Sequence, residues 1–374
     1  MSNATTIAVV GATGAVGIEI LRVLEQREFP HGAIRLLASP RSAGKTLRYR
    51  GDEVAIEPLV DGWHRGVNLA LMSAGSGPSK QFAKAAVAAG VNVVDNSSAF
   101  RADPECHLIV PEVNGATLPR GSGAVLAAVP NCSAIIMLVA LNPLREAFGV
   151  RHINVNTYQA ASGAGAQAME ELRTQSREAL EGRDPLAWTR SVFNEPYAFN
   201  LFSHNAGIDA ETGYNGEELK MISESRRIWD DPALLVSPTC VRVPTMRAHA
   251  ESITVTLGRA ATEREVRTAL QRGASVRLVD DRASNGFPTP LKAEGGDEVL
   301  VGRVRADIAR IHELHGPGAV VTEQTPCDRW SLFVAGDQLR TGAALTAVKI
   351  AELMVGSQID RGVLFPPITT RPAS

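Results

Sequence analysis

The chemistry in this sequence centres on a cysteine that begins a predicted helix. Cys132 follows the apolar residues 127–129 and a Pro130-Asn131 turn, and the apolar residues 134–140 come after it. This order predicts a buried strand, a turn and a helix whose first residue is Cys132. The free N–H groups and the dipole at a helix start favour thiolate over thiol, so we expect a nucleophile near neutral pH. The alternative is a small, buried, apolar cysteine.

Arg101 is a candidate anion-binding partner for this cysteine. It ends the segment Asp95-Asn96-Ser97-Ser98-Ala99-Phe100-Arg101, which follows a predicted strand at residues 91–95. This segment and the turn before Cys132 both follow predicted parallel strands, at the carboxyl ends where ligands gather. Arg101 therefore lies within plausible reach of the thiol. A guanidinium there could bind an anionic leaving group or an attacking phosphate. The alternative is a surface arginine paired with Asp103 or Glu105.

Arg242 and His249 lie on two extended segments that a bend at Pro244 separates. They are seven residues apart, so on one straight strand they would face opposite sides. Only the bend can bring both side chains into one pocket. A histidine near a reactive cysteine is the obvious proton carrier, and the alternative is a hydrogen-bonded structural imidazole.

Glu217 and Lys220 share one face of a charged amphipathic helix predicted at residues 215–229. Side chains three residues apart on a helix are neighbours. The two groups therefore either pair with each other or bind a ligand together.

A glycine-rich turn near the start of the chain predicts a dinucleotide site. The apolar residues 7–10 lead into Gly11-Ala12-Thr13-Gly14-Ala15-Val16-Gly17 and then a helical pattern. Strand, glycine turn and helix present backbone N–H groups to a pyrophosphate, and the alternative is a glycine-rich connection without a ligand. Ser73 and Gly75, after a strand predicted at residues 67–72, also let a ligand approach the backbone.

The second predicted strand, residues 34–38, ends in Ser39-Pro40-Arg41-Ser42. An NAD site normally has an acidic residue at about this distance for the ribose 2′-hydroxyl. The hydroxyls and the guanidinium found here suit a 2′-phosphate, so we expect NADP rather than NAD. The alternative is that Arg41 and Lys45 only solvate a loop.

Strands that alternate with helices predict an α/β fold with an N-terminal Rossmann-type, doubly wound parallel sheet. After the Cys132 helix the pattern changes to longer extended segments, which predicts an α+β catalytic and dimerisation domain. We place the first domain at residues 1–131 and the second at residues 132–340. The apolar helix predicted at residues 341–355 returns to the first domain, which residues 341–374 complete.

Composition excludes several classes of protein. The chain has 374 residues, 21% of them charged, and a formal net charge of -2, which gives no reason to expect nucleic acid or a membrane surface as partner. No apolar run approaches the roughly 20 residues that span a bilayer. The four cysteines are scattered, and His312 and His315 fit a helix end better than a metal site, so we expect no metal. We expect a cytoplasmic protein.

Several segments together resemble the aspartate-semialdehyde dehydrogenase family, in family order over nearly the whole chain. They are Gly11 to Gly17, Arg41-Ser42, the segment from Asp95 to Arg101, Val110-Pro111-Glu112-Val113-Asn114, Pro130-Asn131-Cys132-Ser133, the segment from Tyr158 to Gly165, Glu217-Glu218-Leu219-Lys220, Cys240-Val241-Arg242-Val243-Pro244 with His249, and the segment from Phe333 to Arg340. One departure is the stretch of residues 201–207, where many members carry a Pro-His-Ile-Asp-like sequence. We expect this departure to leave the roles of the other residues unchanged.

The resemblance implies a role for each candidate residue. Cys132 would be the acylated nucleophile and His249 the general acid/base, while Gln159 would orient the substrate. Arg242 would clamp its α-carboxylate and Glu217 would face its amino group, with Asn131 also at the substrate. Arg101 and Lys220 would hold the phosphate. The NADP site would be formed by Gly11, Thr13, Gly14, Ala15, Val16, Ser39, Arg41, Ser42, Ser73, Gly75, Ser162, Gly163 and Gln338.

The implied reaction is the reduction of an acyl phosphate through a thioester. Aspartyl phosphate would acylate Cys132 and release inorganic phosphate, and NADPH would then reduce the thioester to the aldehyde. One alternative is a sibling reductase of N-acetylglutamyl phosphate, whose uncharged amide would leave Glu217 misplaced. Another is an NADP-binding sensor without catalysis, which would be expected to lack Cys132 or His249. A homodimer or homotetramer is expected.

Overall fold

The first sheet is built from the N-terminal third of the chain. The computed structural model describes residues 5–119, 121 and 123–359. Eight strands lie in the order β3-β4-β2-β1-β5-β6-β8-β7, and all neighbours are parallel except the edge pair β3 and β4. The elements are β1 (Thr6–Val10), α1 (Ala15–Gln26), β2 (Ala33–Ala38), β3 (Thr46–Tyr49), β4 (Asp52–Pro58), β5 (Leu69–Met72), α2 (Ser76–Ala88), β6 (Asn92–Asp95), β7 (His107–Leu108), α3 (Pro111–Asn114) and β8 (Leu126–Ala128).

Continuous apolar strands explain why this sheet lies in the interior. All four residues of β5 and four of the five in β1 are buried, as expected of parallel strands that helices cover. The helices α1 and α2 pack on the sheet at β1, β6 and β8. The doubly wound parallel sheet predicted from the sequence is therefore confirmed.

The second sheet is mixed and has seven strands in the order β10-β11-β9-β12-β15-β14-β13. Its central strand β12 is antiparallel to both neighbours, and β9 is parallel to β11. The elements are α4 (Cys132–Phe148), β9 (Val150–Gln159), α5 (Ala166–Leu180), β10 (Phe202–Ser203), α6 (Gly216–Ile228), β11 (Leu235–Arg242), β12 (His249–Ala261), α7 (Glu263–Gln271), β13 (Val276–Leu278), α8 (Pro290–Ala293), β14 (Val299–Ala306), α9 (Ile308–His315) and β15 (Cys327–Gly336). This mixed sheet with its helices confirms the predicted α+β part, whereas the boundary near Asn131 stays a prediction.

Helix α4 is the centre of the second half of the molecule. Thirteen of its seventeen residues are buried, because it packs against α6, α7 and the strands β9, β12, β14 and β15. A helix that is apolar on all sides needs such a surrounding to be stable. The helix that presents Cys132 is therefore held by packing along its whole length.

The chain returns to the first sheet at its C-terminal end. A π-helical turn (Arg340–Ala344) precedes α10 (Leu345–Ile359), and α10 packs against α1, β5 and β6. The returning helix is thus confirmed, but its first turn is π-helical where the sequence predicts a regular helix. This turn approaches the start of α4 closely, since a Cβ atom at Gly342 would lie 2.8 Å from the Cβ of Cys132. Residues 341–374 are predicted to complete the first domain, and of these, residues 360–374 lie outside the described residues.

An ionic network joins α1 to the end of β15 and the π-helical turn. Arg340 Nη1 donates to Glu19 Oε1 at 2.9 Å, and Arg247 Nη2 lies 3.2 Å from Glu19 Oε2. Arg247 Nε also donates to Asp337 Oδ2 at 2.8 Å. Glu19 is 3% exposed, so its charge is compensated by these two arginines rather than by water.

Replacing Glu19 by alanine is expected to lower the free energy of unfolding by about 3 kcal/mol. Removing one member of a buried ion network leaves the other charges uncompensated. Denaturant unfolding monitored by circular dichroism measures the change. Glu25→Ala, at an exposed position on the same helix, is the matched control and should change stability by less than about 0.5 kcal/mol. Equal effects of the two variants would contradict this account of the network.

Candidate active site

Asn131 and Cys132 start helix α4 as the sequence predicts. Asn131 is the N-cap, and its Oδ1 accepts hydrogen bonds from the N–H groups of Ser133 at 3.0 Å and Ala134 at 3.2 Å. Its Nδ2 donates to Glu217 Oε1 at 2.6 Å. An asparagine whose side chain satisfies the free N–H groups of a helix start fixes the turn before the first residue. Cys132 thus follows a residue whose side chain is hydrogen-bonded both to the first turn of α4 and to Glu217 on α6.

His249 contacts the thiol directly, with its Nε2 3.5 Å from Cys132 Sγ. The other ring nitrogen, Nδ1, accepts a hydrogen bond from the N–H of Ala160 at 3.1 Å. A neutral imidazole that accepts at Nδ1 carries its proton on Nε2. The proton of His249 therefore points toward the sulfur. A second proton, on Nδ1, would bring two N–H donors together, because the N–H of Ala160 already points at that nitrogen.

The protonation states of this pair differ from the sequence-based expectation of a thiolate. Burial raises the pKa of Cys132 to about 12, with Glu217 adding to the effect and Arg101 and Arg242 opposing it. Burial also lowers the pKa of His249 to about 3, and the nearby Arg242 acts in the same direction. The pair is thus a neutral thiol and a neutral imidazole, because desolvation of the thiol outweighs the two arginines and the Ser133 N–H, which favour the thiolate.

Alkylation of Cys132 should consequently be slow at pH 7 and accelerate as the pH rises. Only the thiolate reacts, and below its pKa the thiolate fraction grows about tenfold per pH unit. We expect the rate of inactivation by iodoacetamide to rise throughout the range from pH 6 to pH 9. Mass spectrometry of the Cys132→Ser variant provides the control for the modified site. A plateau below pH 7 would show that the thiol is already ionised, and would contradict this result.

Arg242 and His249 meet in one pocket, so the bend at Pro244 acts as predicted. A Cβ atom at Gly163 would lie 2.9 Å from His249 Cε1 and 3.2 Å from Arg242 Nη1, which places both side chains against the same glycine. Arg242 Nη1 donates to the carbonyl of Ala160 at 3.3 Å. Arg242 is 4% exposed, so its guanidinium is a buried positive charge beside the nucleophile.

Glu217 supplies the opposite charge in the same cavity. Lys220 Nζ donates to Glu217 Oε2 at 3.2 Å, and Gln159 Nε2 lies 3.4 Å from Glu217 Oε1. Burial opposes ionisation of Glu217, but His204, Lys220 and the Asn131 amide outweigh it and lower the pKa to about 2. Glu217 and Lys220 thus pair with each other, and Glu217 also lines the cavity, whereas joint binding of a ligand stays a prediction.

Arg101 points into the site and not to the surface. Its Nε donates to the carbonyl of Val129 at 2.9 Å, whereas Asp103 is paired with Lys84 at 2.9 Å. A cavity of about 320 Å³ brings most of the predicted catalytic and substrate-binding residues together. Its lining consists of Val16, Asn96, Arg101, Asn131, Cys132, Gln159, Ser162, Gly163, His204, Glu217, Arg242, Gln338, Leu339, Gly342 and Ala343.

The glycine turn forms a second cavity, of about 460 Å³, and its residues fit a dinucleotide. Gly11 has φ +85°, and a Cβ atom there would lie 2.7 Å from the backbone of Ser73. Gly14 is the N-cap of α1, so no side chain caps the N–H groups of the first turn. That turn also contains no acidic residue that would repel a phosphate. The lining consists of Gly11, Thr13, Gly14, Ala38, Ser39, Pro40, Leu59, Ser73, Ala74, Pro78, Gln81 and Phe82.

Among the remaining predicted cofactor residues, some line the Cys132 cavity and others line neither cavity. The first group is Val16, Ser162, Gly163 and Gln338, and the second is Ala15, Arg41, Ser42 and Gly75. Arg41 is exposed and Ser42 half-buried in the short 3-10 turn Pro40–Ser42, Ala15 begins α1, and Gly75 caps α2. Ser162 and Gln338 hydrogen-bond to each other in the Cys132 cavity, and Gln338 Oε1 accepts from the N–H of Ala248 at 2.8 Å. Val16 lines that cavity too, so helix α1, which follows the glycine-rich turn, borders the same cavity as Cys132.

Comparison with known proteins decides the family. Residues 6–120 match the semialdehyde dehydrogenase NAD binding domain, and residues 141–325 match the semialdehyde dehydrogenase dimerisation domain. The aspartate-semialdehyde dehydrogenase of Synechocystis sp. is 44% identical over 95% of this chain and 98% of its own, and that of Aquifex aeolicus is 42% identical over 93% and 97%. The chain belongs to the aspartate-semialdehyde dehydrogenase family.

A solved structure of an aspartate-semialdehyde dehydrogenase has the same architecture. Aspartate semialdehyde dehydrogenase II from Vibrio cholerae, complexed with ASA, superposes with a TM-score of 0.84 at 39% identity. The match covers 94% of this chain and 98% of the other. The resemblance drawn from the sequence motifs is therefore confirmed, and this chain is an oxidoreductase with a nicotinamide-dinucleotide-binding domain and a dimerisation domain.

The aspartate-semialdehyde dehydrogenase motifs did not reveal two residues that the structure places at the site. His204 lines the Cys132 cavity, and its Nδ1 accepts from the N–H of Ala206 at 3.1 Å. Asn205 Oδ1 accepts from Arg242 Nε at 3.2 Å. Both lie in residues 201–207, so this segment contributes to the site, and the expectation that the departure there leaves the roles of the other residues unchanged stays a prediction. The antiparallel pairing of β10 with β11 brings this segment to Arg242.

The described residues also bear on metal and membrane binding in this dehydrogenase. No three His, Cys, Asp or Glu side chains within residues 5–119, 121 and 123–359 are grouped as metal ligands would be. His312 and His315 lie in the last turn of α9, which is the helix end predicted for them. Over the same part of the chain, none of the helices combines the length and the apolarity needed to cross a bilayer.

Proposed function

We propose that this chain catalyses the NADPH-dependent reductive dephosphorylation of L-aspartyl 4-phosphate to L-aspartate 4-semialdehyde, and the phosphate-dependent oxidation in reverse. The observation that carries the proposal is the 3.5 Å contact of Cys132 Sγ with His249 Nε2 in a cavity that also contains Arg101, Glu217 and Arg242. Family membership supports the same reaction and its role in the biosynthesis of lysine, threonine and methionine.

Two opposite charges in the cavity suit an α-amino acid. The buried guanidinium of Arg242 is proposed to bind the α-carboxylate through Nη2, because Asn205 accepts from its Nε at 3.2 Å and the Ala160 carbonyl from its Nη1 at 3.3 Å. Glu217, with a pKa of about 2, is anionic at neutral pH and binds the ammonium group. An N-acetylated substrate has no such charge, so Glu217 favours free aspartyl phosphate over N-acetylglutamyl phosphate.

The acylation step moves one proton and breaks one bond. Cys132 Sγ attacks the acyl carbon, the bond between this carbon and the phosphate oxygen breaks, and the thiol proton leaves with the phosphate. Gln159 orients the acyl group in this step. Arg101 and Lys220 hold the departing dianion, which gives a nearly neutral protein a local site for a strongly anionic group.

Reduction of the thioester develops negative charge on the former carbonyl oxygen. The Gly11 turn, Ser162, Gly163 and Gln338 would hold a nicotinamide cofactor, which would supply the hydride when bound. His249 donates its Nε2–H to the charged oxygen, because the Ala160 contact keeps the proton on that nitrogen. When the tetrahedral adduct collapses, the carbonyl re-forms, the carbon–sulfur bond breaks, and the Cys132 thiolate takes one proton from solvent to regenerate the thiol. We propose this hydrogen-bond donor role for His249 in place of the general acid/base role that the family resemblance implies, because a pKa of about 3 keeps the ring neutral.

Arg41 is proposed to select NADP over NAD. Replacing Arg41 by alanine is expected to raise the KM for NADP at least about tenfold and to leave the KM for NAD within twofold, because only NADP carries the 2′-phosphate. Initial rates with each cofactor measure the effect. Arg48→Ala, an exposed arginine on β3, is the control and should leave both values unchanged. A parallel rise in both KM values would argue against this role.

The assembly is proposed to be a homodimer or a homotetramer, in the cytoplasm. The match of residues 141–325 to a dimerisation domain supports at least a dimer. Sedimentation velocity at micromolar concentration tests the assembly, and a monomeric profile would contradict it. The cytoplasmic location stays a prediction from the sequence.

One assay tests the proposed function. Purified protein with NADP and phosphate receives either aspartate semialdehyde or N-acetylglutamate semialdehyde, and NADPH formation is followed at 340 nm. We expect phosphate-dependent turnover of the first aldehyde alone. Turnover of the second would move the assignment to the sibling reductase. Turnover of neither, with NADP still bound, would favour a sensor.

A further inference from the structure

Helix α6 presents a third charged residue to the site, on the face that carries Glu217 and Lys220. Glu224 lies four residues after Lys220 and seven after Glu217, which places all three on one face of the helix. Its side chain is 4% exposed. The family motif and the cavity lining leave it without a role, yet it is a carboxyl group within the polar surroundings of the nucleophile.

Glu224 contacts the two groups on which the proposed acylation depends. Its Oε2 accepts a hydrogen bond from the backbone N–H of Asn131 at 2.6 Å, directly before Cys132. Its Oε1 lies 3.5 Å from Arg101 Nη1. One carboxyl group therefore joins the turn that carries the nucleophile to the guanidinium that is proposed to hold phosphate.

Arg101 completes a closed set of contacts around the same turn. Its Nε donates to the carbonyl of Val129 at 2.9 Å, and its Nη2 donates to the carbonyl of Asn96 at 3.1 Å. The turn is thus held on both sides of Pro130, by Arg101 before it and by Glu224 after it. Within the described part of the chain these contacts use three of the five N–H groups of Arg101, which leaves two for an anion.

The charge of Glu224 has a second consequence for anion binding. Burial raises the pKa of Glu224, whereas Arg101 and the Asn131 N–H oppose the rise by stabilising the carboxylate. A carboxylate beside a guanidinium weakens the potential that the guanidinium offers to a phosphate dianion. A reversible phosphate-releasing enzyme needs that anion to leave, so partial compensation of Arg101 favours release.

We propose that Glu224 is a positioning residue that fixes Arg101 relative to the turn before Cys132 and weakens phosphate binding at Arg101. The proposal rests on the proposed function, in which Arg101 binds phosphate. It predicts an effect of opposite sign to that of ordinary structural damage. Damage to the site weakens phosphate binding, whereas loss of the Glu224 charge strengthens it.

The Glu224→Gln variant tests this prediction, since its amide oxygen can still accept from Asn131 N–H while the charge is lost. The dissociation constant of inorganic phosphate for the NADP-loaded protein, measured by calorimetry, should fall about three- to tenfold. The KM for phosphate should fall by the same factor. The KM for aspartate semialdehyde should stay within twofold, because Arg242 and Glu217 are unchanged.

Glu218→Gln is the matched control on the same helix. Glu218 is also buried, but it accepts from the N–H groups of Cys240 and Asn215, both at 2.9 Å, and the residues it bonds do not include Arg101. We expect no gain in phosphate affinity from this variant. Unchanged or weaker phosphate binding in a folded Glu224→Gln protein would overturn the proposal, as would an equal gain in both variants.

Glu224→Asp keeps the test decisive if the glutamine variant does not fold. The shorter carboxylate keeps the charge but loses the 2.6 Å contact with Asn131, so kcat should fall about tenfold with less than twofold change in phosphate affinity. Unchanged kcat would overturn the positioning role. Failure of the proposed function itself is distinguishable, because it would show as absence of turnover by the unmodified protein.

Discussion

Replacing Cys132 by serine is expected to lower kcat at least about a thousandfold while NADP still binds. A serine hydroxyl is a far weaker nucleophile than a thiol, and at this position no general base is available to activate it. The proton of His249 lies on Nε2, and Ala160 N–H occupies Nδ1 at 3.1 Å. The steady-state rate of NADPH formation and a fluorescence titration with NADPH measure the two properties separately.

The cysteine at position 327 provides the control for this substitution. Cys327 is buried on β15, and its Sγ lies 3.1 Å from the carbonyl of Arg329, a contact that a serine hydroxyl can keep. Cys327→Ser should therefore leave kcat within about twofold of the unmodified value. Residual activity of Cys132→Ser above one per cent would mean that the acyl group is not carried on this sulfur.

Replacing His249 by alanine is expected to reduce kcat about a hundred- to a thousandfold, the usual effect of losing one donor to a developing oxyanion. Glutamine offers a neutral N–H donor of similar reach, so His249→Gln should retain at least about tenfold more activity than the alanine variant. Stopped-flow measurement of hydride transfer distinguishes this step from acylation. The comparison works because a donor can be replaced by an amide, whereas a proton-accepting base cannot.

The pH profile of the unmodified protein gives a second check on His249. Its pKa of about 3 keeps the imidazole neutral at every pH above 4, so kcat should show no limb from this group between pH 5 and pH 8. An acidic limb near pH 6.5 that disappears in the glutamine variant would show a titrating imidazole. Equal loss of activity in the alanine and glutamine variants would also favour an acid/base role over a donor role.

Local patterns predicted much of this molecule because they depend on neighbours in the chain. The apolar residues 7–10 followed by Gly11 form β1 and the turn before α1, and Asn131 followed by Cys132 starts α4 as expected. Strand periodicity and helix capping are decided within a few residues. The bend at Pro244 was also predictable, since the odd spacing of Arg242 and His249 required it.

Other properties depend on residues that are distant in the sequence. The sequence predicted a thiolate from the helix start alone, but burial by surrounding segments raises the pKa of Cys132 to about 12. The position of His204 depends on the pairing of β10 with β11, a two-residue strand without a recognisable pattern. Neither desolvation nor long-range strand pairing is encoded in a short window of residues.

The sequence by itself determined the family, the doubly wound sheet, the position of Cys132 at the start of α4 and the set of charged residues that accompany it. Only the tertiary structure decided which nitrogen of His249 carries the proton, that Asn205 holds Arg242, and that Glu224 joins Arg101 to the Cys132 turn. The physical reason is that residue types and local spacing select elements and chemistry. Protonation, orientation and affinity follow from hydrogen bonds and burial, which exist only after distant segments have packed together.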